Sequence, residues 1–104
     1  MKELRKRYSG LRLVHKDELD EPIYLNKGEE VGIVFPKTKG FFGWGLKKRP
    51  KDMEVVVSGA LEVNPNCWKM IVLKSSIAGE YIVEFEDVKI ISVQERVKAK
   101  IIVE

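Results

Sequence analysis

The sequence of 104 residues predicts an all-β protein, a two-sheet antiparallel sandwich of about seven or eight strands. Three observations lead there. Val, Ile, Phe, Tyr and Trp recur in short runs broken by Gly, Pro, Asn and Ser. No window of about a dozen residues keeps its apolar positions at helical spacing. Late in the chain, apolar and charged residues alternate, as in strands with one face on a core and the other in water.

The predicted strands follow in order. Leu11 to Val14 opens the series. KDEL at 16–19 is a charged turn, and being internal it cannot act as a carboxy-terminal retention signal. Ile23 to Leu25 and Glu30 to Phe35 come next, the second nearly all apolar and so a core strand. Trp44 to Lys48 follows a glycine-rich segment, and Met53 to Val57 follows the turn at Pro50-Lys51-Asp52. Cys67 to Lys74 places Trp68, Met70 and Val72 on one face. Glu80 to Glu86 alternates Tyr81, Val83 and Phe85 with acids, and Arg96 to Val103 alternates Val97, Ala99, Ile101 and Val103 with cations. Glu80, Glu84 and Glu86 on one strand against Arg96, Lys98 and Lys100 on the other make those two strands neighbours, with opposite charges on their outer face.

Composition bounds the function. A hydrophobic fraction of 44% and a charged fraction of 34% belong to a globular chain, not a disordered one. The length suits one domain over 1–104, with 1–10 as a possible basic arm. No run approaches the roughly 18 apolar residues of a membrane span, and no apolar segment follows the basic start, so the expected location is cytoplasmic. One cysteine and one histidine form neither an internal disulfide nor a zinc site. The Lys and Glu bias, against one Gln and three Asn, is shared by hyperthermophile proteins.

Single residues offer little catalysis. His15 lies beside Asp17 and Glu18 on a polar stretch with no Ser or Cys partner nearby. Cys67 reads as a small buried hydrophobe rather than a nucleophile. Glu84, Glu86, Asp87 and Glu95 could be drawn as a metal cluster, but carboxylates opposite Lys and Arg are more simply cross-strand pairs. The expectation is no enzyme, no metal and no cofactor.

One motif refines the fold. Ser76-Ile77-Ala78-Gly79-Glu80-Tyr81-Ile82-Val83 has the form leading into the penultimate strand of immunoglobulin-like domains, where the tyrosine hydroxyl returns to upstream backbone as a tyrosine corner. The alternative is that Tyr81 is one more sheet aromatic. Trp44 could be the tryptophan such domains bury on their third strand.

The order Gly28-Glu29-Glu30-Val31-Gly32-Ile33-Val34-Phe35-Pro36, then Thr38-Lys39-Gly40-Phe41-Phe42-Gly43-Trp44, resembles the second strand and first binding loop of the chagasin-like inhibitors of cysteine peptidases. That family carries Asn-Pro-Thr-Thr-Gly-Phe-x-Trp there. Ala78-Gly79-Glu80-Tyr81 and a last strand opened by Glu95-Arg96 resemble its closing hairpin, so the likeness covers most of 22–104. It implies an immunoglobulin-like sandwich whose three loops at one end wedge into a papain-like peptidase. Thr38, Lys39, Gly40, Phe41 and Phe42, with Trp44, would serve the first loop. Asn64, Pro65 and Asn66 stand in the second, in place of the family's glycine-rich motif. Lys89, Ile90 and Ile91 stand in the third, in place of Arg-Pro-Trp. The three loops are expected around 38–42, 59–66 and 87–94.

Two other readings share the first loop. Lys37, Lys39, Lys47, Lys48, Arg49 and Lys51 are six cations with no acid between them, and with Phe41, Phe42 and Trp44 they could meet nucleic acid. Phe41 and Phe42 are consecutive, however, and would point to opposite faces of a strand. The plainer reading of Trp44 is that it packs between the sheets, since large aromatics favour burial. A purely structural or interaction role is the remaining alternative.

Overall fold

The computed structural model describes residues 12–36, 43–64, 67–89 and 92–104. These form β1 (Arg12–His15), a 3-10 turn (Lys16–Glu18), β2 (Ile23–Leu25), β3 (Val31–Phe35), β4 (Gly43–Lys48), β5 (Glu54–Asn64), β6 (Cys67–Lys74), β7 (Gly79–Lys89) and β8 (Ser92–Val103). They build two four-stranded sheets, ordered β1-β3-β6-β5 and β2-β8-β7-β4. The predicted all-β sandwich is the observed architecture. Its sheets are mixed: β1 on β3 and β2 on β8 are parallel pairs, and the remaining pairs are antiparallel.

Alternation places the core. Val31, Ile33 and Phe35 of β3 and Ile71 and Leu73 of β6 face Tyr81, Val83 and Phe85 of β7 and Ala99, Ile101 and Val103 of β8. Each Val, Ile, Leu or Phe side chain among them contributes about 1.5–3 kcal/mol when fully buried. Met70 and Val72 share one face of β6 as expected, but the reverse of that strand is apolar too. Both are buried, together with Val34, on the face opposite Ile71 and Leu73. Central strands apolar on both faces carry no alternation from which to read the inward side.

The predicted adjacency of the two late strands holds. Glu84 is opposite Lys98 and Glu86 opposite Arg96, with ion-pair distances of 4.0 and 3.7 Å. Lys100 reaches Glu80 diagonally. These exposed pairs fix register more than they add stability.

The strand expected over 53–57 is longer: β5 runs to Asn64, with register shifts after Val55 and after Ala60. Ser58, Gly59 and Ala60 have weak strand preference, which hid this half. The stretches 59–64 and 87–89, expected within loops, are therefore strand, as are 92–94 at the start of β8.

The tyrosine corner is present. The Tyr81 hydroxyl donates to the Ile77 carbonyl at 2.6 Å and lies 3.2 Å from the Ser75 hydroxyl, which also accepts the Ile77 N–H at 3.2 Å. Ser75 is buried, so this network satisfies polar groups that would otherwise be costly. Nearby, Gly28 takes a left-handed φ of 79°, a conformation open to glycine. From there its N–H reaches the Ser75 carbonyl at 2.8 Å.

Candidate docking end of the sandwich

Three connections matter, and the strand ends that flank them are described. β3 ends at Phe35, which is opposite Lys69 near the start of β6, while Asn64 at the end of β5 is opposite Cys67. In the other sheet Gly43 is opposite Val88, and Lys89 is opposite Ser92. The two sheet ends are joined by aromatic packing. The rings of Phe35 and Trp44 stack with centroids 5.0 Å apart, and Phe35 meets Phe85 at 5.1 Å. The strand ends bounding 36–42, 65–66 and 90–91 thus share one end of the sandwich.

Of the residues predicted to dock a partner, Thr38, Lys39, Gly40, Phe41, Phe42, Pro65, Asn66, Ile90 and Ile91 lie outside the described residues. Asn64 and Lys89 are the last residues of β5 and β7. Trp44 is only 3% exposed. It forms the floor of this end, in keeping with the packing reading rather than with the loop role the resemblance implies.

Sequence reasoning missed Lys16. Its ammonium lies 2.9 Å from Glu95 and 3.5 Å from Asp17, and 5.4 Å from the centre of the Trp44 ring. The stem therefore ties the 3-10 turn to β8 and to the aromatic floor, combining an ion pair with a cation–π contact. The hydrogen bond to Glu95 outweighs the desolvation that opposes it and, with Coulombic attraction to Glu95 and Asp17, holds the Lys16 pKa above its ordinary value. Nothing local in KDEL signals a partner so distant in sequence.

Lys37 and Lys39 of the basic run lie outside the described residues, and the rest of the run is less one-sided than its sequence. Lys47, Lys48, Arg49 and Lys51 are exposed, but Lys48 is opposite Glu84, which also meets Lys98. The acids of β7 thus lie between cations on both neighbouring strands. His15 is exposed, and its backbone N–H donates to the Glu18 carboxylate at 3.1 Å. Glu84 and Glu86 make the cross-strand pairs expected of them. Among the described residues no three His, Cys, Asp or Glu side chains are grouped to hold a metal ion. Nor is any helix there long and apolar enough to cross a membrane.

No family model matches the sequence, and no curated protein matches it. Solved structures do match the fold. Amebosin, known from its solution structure, superposes with a TM-score of 0.70 at 14% identity, covering 90% of this chain and 98% of its own. The cysteine protease inhibitor EhICP2 from Entamoeba histolytica superposes with a TM-score of 0.73 at 9% identity, covering 90% of this chain and 95% of its own. The immunoglobulin-like sandwich implied by the resemblance to chagasin-like inhibitors is thus a fold this chain shares with a cysteine protease inhibitor along most of its length.

Proposed function

We propose that this chain is a non-catalytic protein-binding module that inhibits papain-like cysteine peptidases through the connections at one end of its sandwich. The observation that carries the reading is the fold shared with a cysteine protease inhibitor over 90% of the chain.

Inhibition of this kind needs a rigid, correctly shaped wedge and no reacting side chain. The strand ends around the first connection are held by the Phe35–Trp44 stack, and the Lys16 ammonium lies over the Trp44 ring. A support ordered before binding reduces the entropy lost on docking. Gly40, in the first connection, would let backbone approach the peptidase where a side chain would hold it off. The second and third connections join β5 to β6 and β7 to β8, and would flank it.

Titration of a papain-like peptidase with the purified chain tests the proposal. The expected result is stoichiometric, reversible inhibition at submicromolar concentration. Full peptidase activity at micromolar chain overturns it.

A further inference from the structure

Open sheet edges attract other strands, and proteins blunt them with bulges, short strands or charge. This sandwich does so unevenly. The pairing of β4 is shifted between Leu46 and Lys48, and that of β5 is shifted twice. β1 and β2 are four and three residues long. The edge of β8 is different. β2 covers it only along Ile101–Val103, while its pairing with β7 is regular from Glu95 to Val103.

The direction of the free backbone groups follows from one hydrogen bond. The Glu104 N–H donates to the Leu25 carbonyl at 2.9 Å, so even-numbered backbone groups at the end of β8 point toward β2. Backbone groups alternate between the two edges of a strand. Those of Arg96 and Lys98 therefore point to the same side, beyond the reach of β2, and among the described residues no backbone group pairs with them. Beside them, between β8 and the 3-10 turn, is a cleft of about 310 Å³, where Val97 and Leu19 supply apolar surface, Asp20 supplies a carboxylate, and the carboxylates of Asp17 and Glu95 are paired with Lys16.

We propose that this edge binds an extended peptide whose alternate residues are acidic, added to the sheet as a strand beside β8. Charge selects the occupant. Arg96, Lys98 and Lys100 line the edge, and their side chains remain 59%, 70% and 45% exposed despite their pairs with β7. A second copy docking antiparallel about Lys98 would set Lys98 against itself and Arg96 against Lys100, like charges directly opposed. An acidic strand reproduces what β7 already does on the other side, where Glu84 and Glu86 are opposite Lys98 and Arg96. Its intervening apolar residues would lie over Val97 and Leu19. Main-chain bonds supply affinity and alternate side chains supply selection, as in other strand additions.

The probe is a capped Glu-Val-Glu-Val-Glu peptide titrated into the whole chain, followed by amide NMR, with Lys-Val-Lys-Val-Lys as control. Saturable shifts centred on Arg96 to Lys100, weakened several-fold by added salt and absent with the Lys peptide, are expected. Lys98→Pro removes the outward N–H on an edge that tolerates proline and should lower affinity at least tenfold. Lys98→Ala keeps that N–H and should lose only a few-fold. If Lys98→Pro does not fold, the Glu peptide N-methylated at every residue, which leaves no amide N–H for β8 in either strand direction, supplies the same comparison on the wild-type chain. The proposal is overturned by no saturable shift up to about 1 mM peptide, by shifts centred elsewhere, or by equal binding of the Lys or N-methylated peptide. Self-association of the chain through these amides, without peptide binding, overturns it too. None of these outcomes depends on peptidase inhibition.

Discussion

Phe35 and Trp44 stack at 5.0 Å with their planes 18° apart, one closing β3 and the other near the start of β4. That contact fixes both ends of the first connection and makes Trp44 a structural residue before it is anything else. Trp44→Ala should cost about 3–5 kcal/mol in denaturant unfolding, the range for truncating a buried large aromatic. An unchanged midpoint would mean that Trp44 serves a partner and not the fold.

Tyr81→Phe removes the 2.6 Å hydrogen bond to the Ile77 carbonyl and leaves buried Ser75 with one partner fewer. A loss of about 1–2 kcal/mol is expected, read from urea unfolding with the slope unchanged. A neutral substitution would show that the corner is geometry without energetic weight.

Lys16 gives the fold an alkaline limit. Its pKa is raised when folded, first by the Glu95 hydrogen bond. The linked stability is fully present below the ordinary lysine value of 10.5 and is lost as pH rises through the folded value. Lys100, paired with Glu80, is shifted the same way, but that exposed pair is screened by salt. Thermal unfolding in high salt should therefore show a steeper decline above pH 10.5 in the wild type than in Lys16→Met. Parallel curves would remove Lys16 from this role.

Nucleic-acid binding should be negligible at physiological salt. Lys48 is opposite Glu84, and the acids of β7 separate the cations of its two neighbouring strands, which breaks the field a phosphate backbone needs. Fluorescence anisotropy with labelled single-stranded and duplex oligonucleotides should show no saturation. Submicromolar, salt-sensitive binding lost when Lys47, Lys48 and Arg49 are all changed to Ala would reverse this.

The sequence made legible what local pattern controls. β2 and β6 occupy their predicted ranges, because turn residues bracket them. β7 and β8 announced their pairing through facing rows of Glu and Lys or Arg, and Tyr81 revealed its corner through the residues before it. The second half of β5 was hidden by Ser58, Gly59 and Ala60, whose strand character comes from pairing with Lys69, Met70 and Ile71. The inward side of β6 could not be read because Met70 to Leu73 is apolar on both faces. At the candidate docking end, the base was legible in Trp44, whereas the Lys16–Glu95 brace depends on a contact between the first and last parts of the chain, which no local spacing encodes.

The central claim, inhibition through the first connection, is tested most directly by comparing wild type and Gly40→Val in a titration of a papain-like peptidase, with both melting temperatures measured. Gly40→Val should raise the inhibition constant at least tenfold, because a β-branched side chain blocks close backbone approach, while the melting temperature stays within about 2 °C, as the docking role proposed for Gly40 requires. Equal inhibition by both proteins, or none by either, would contradict the account.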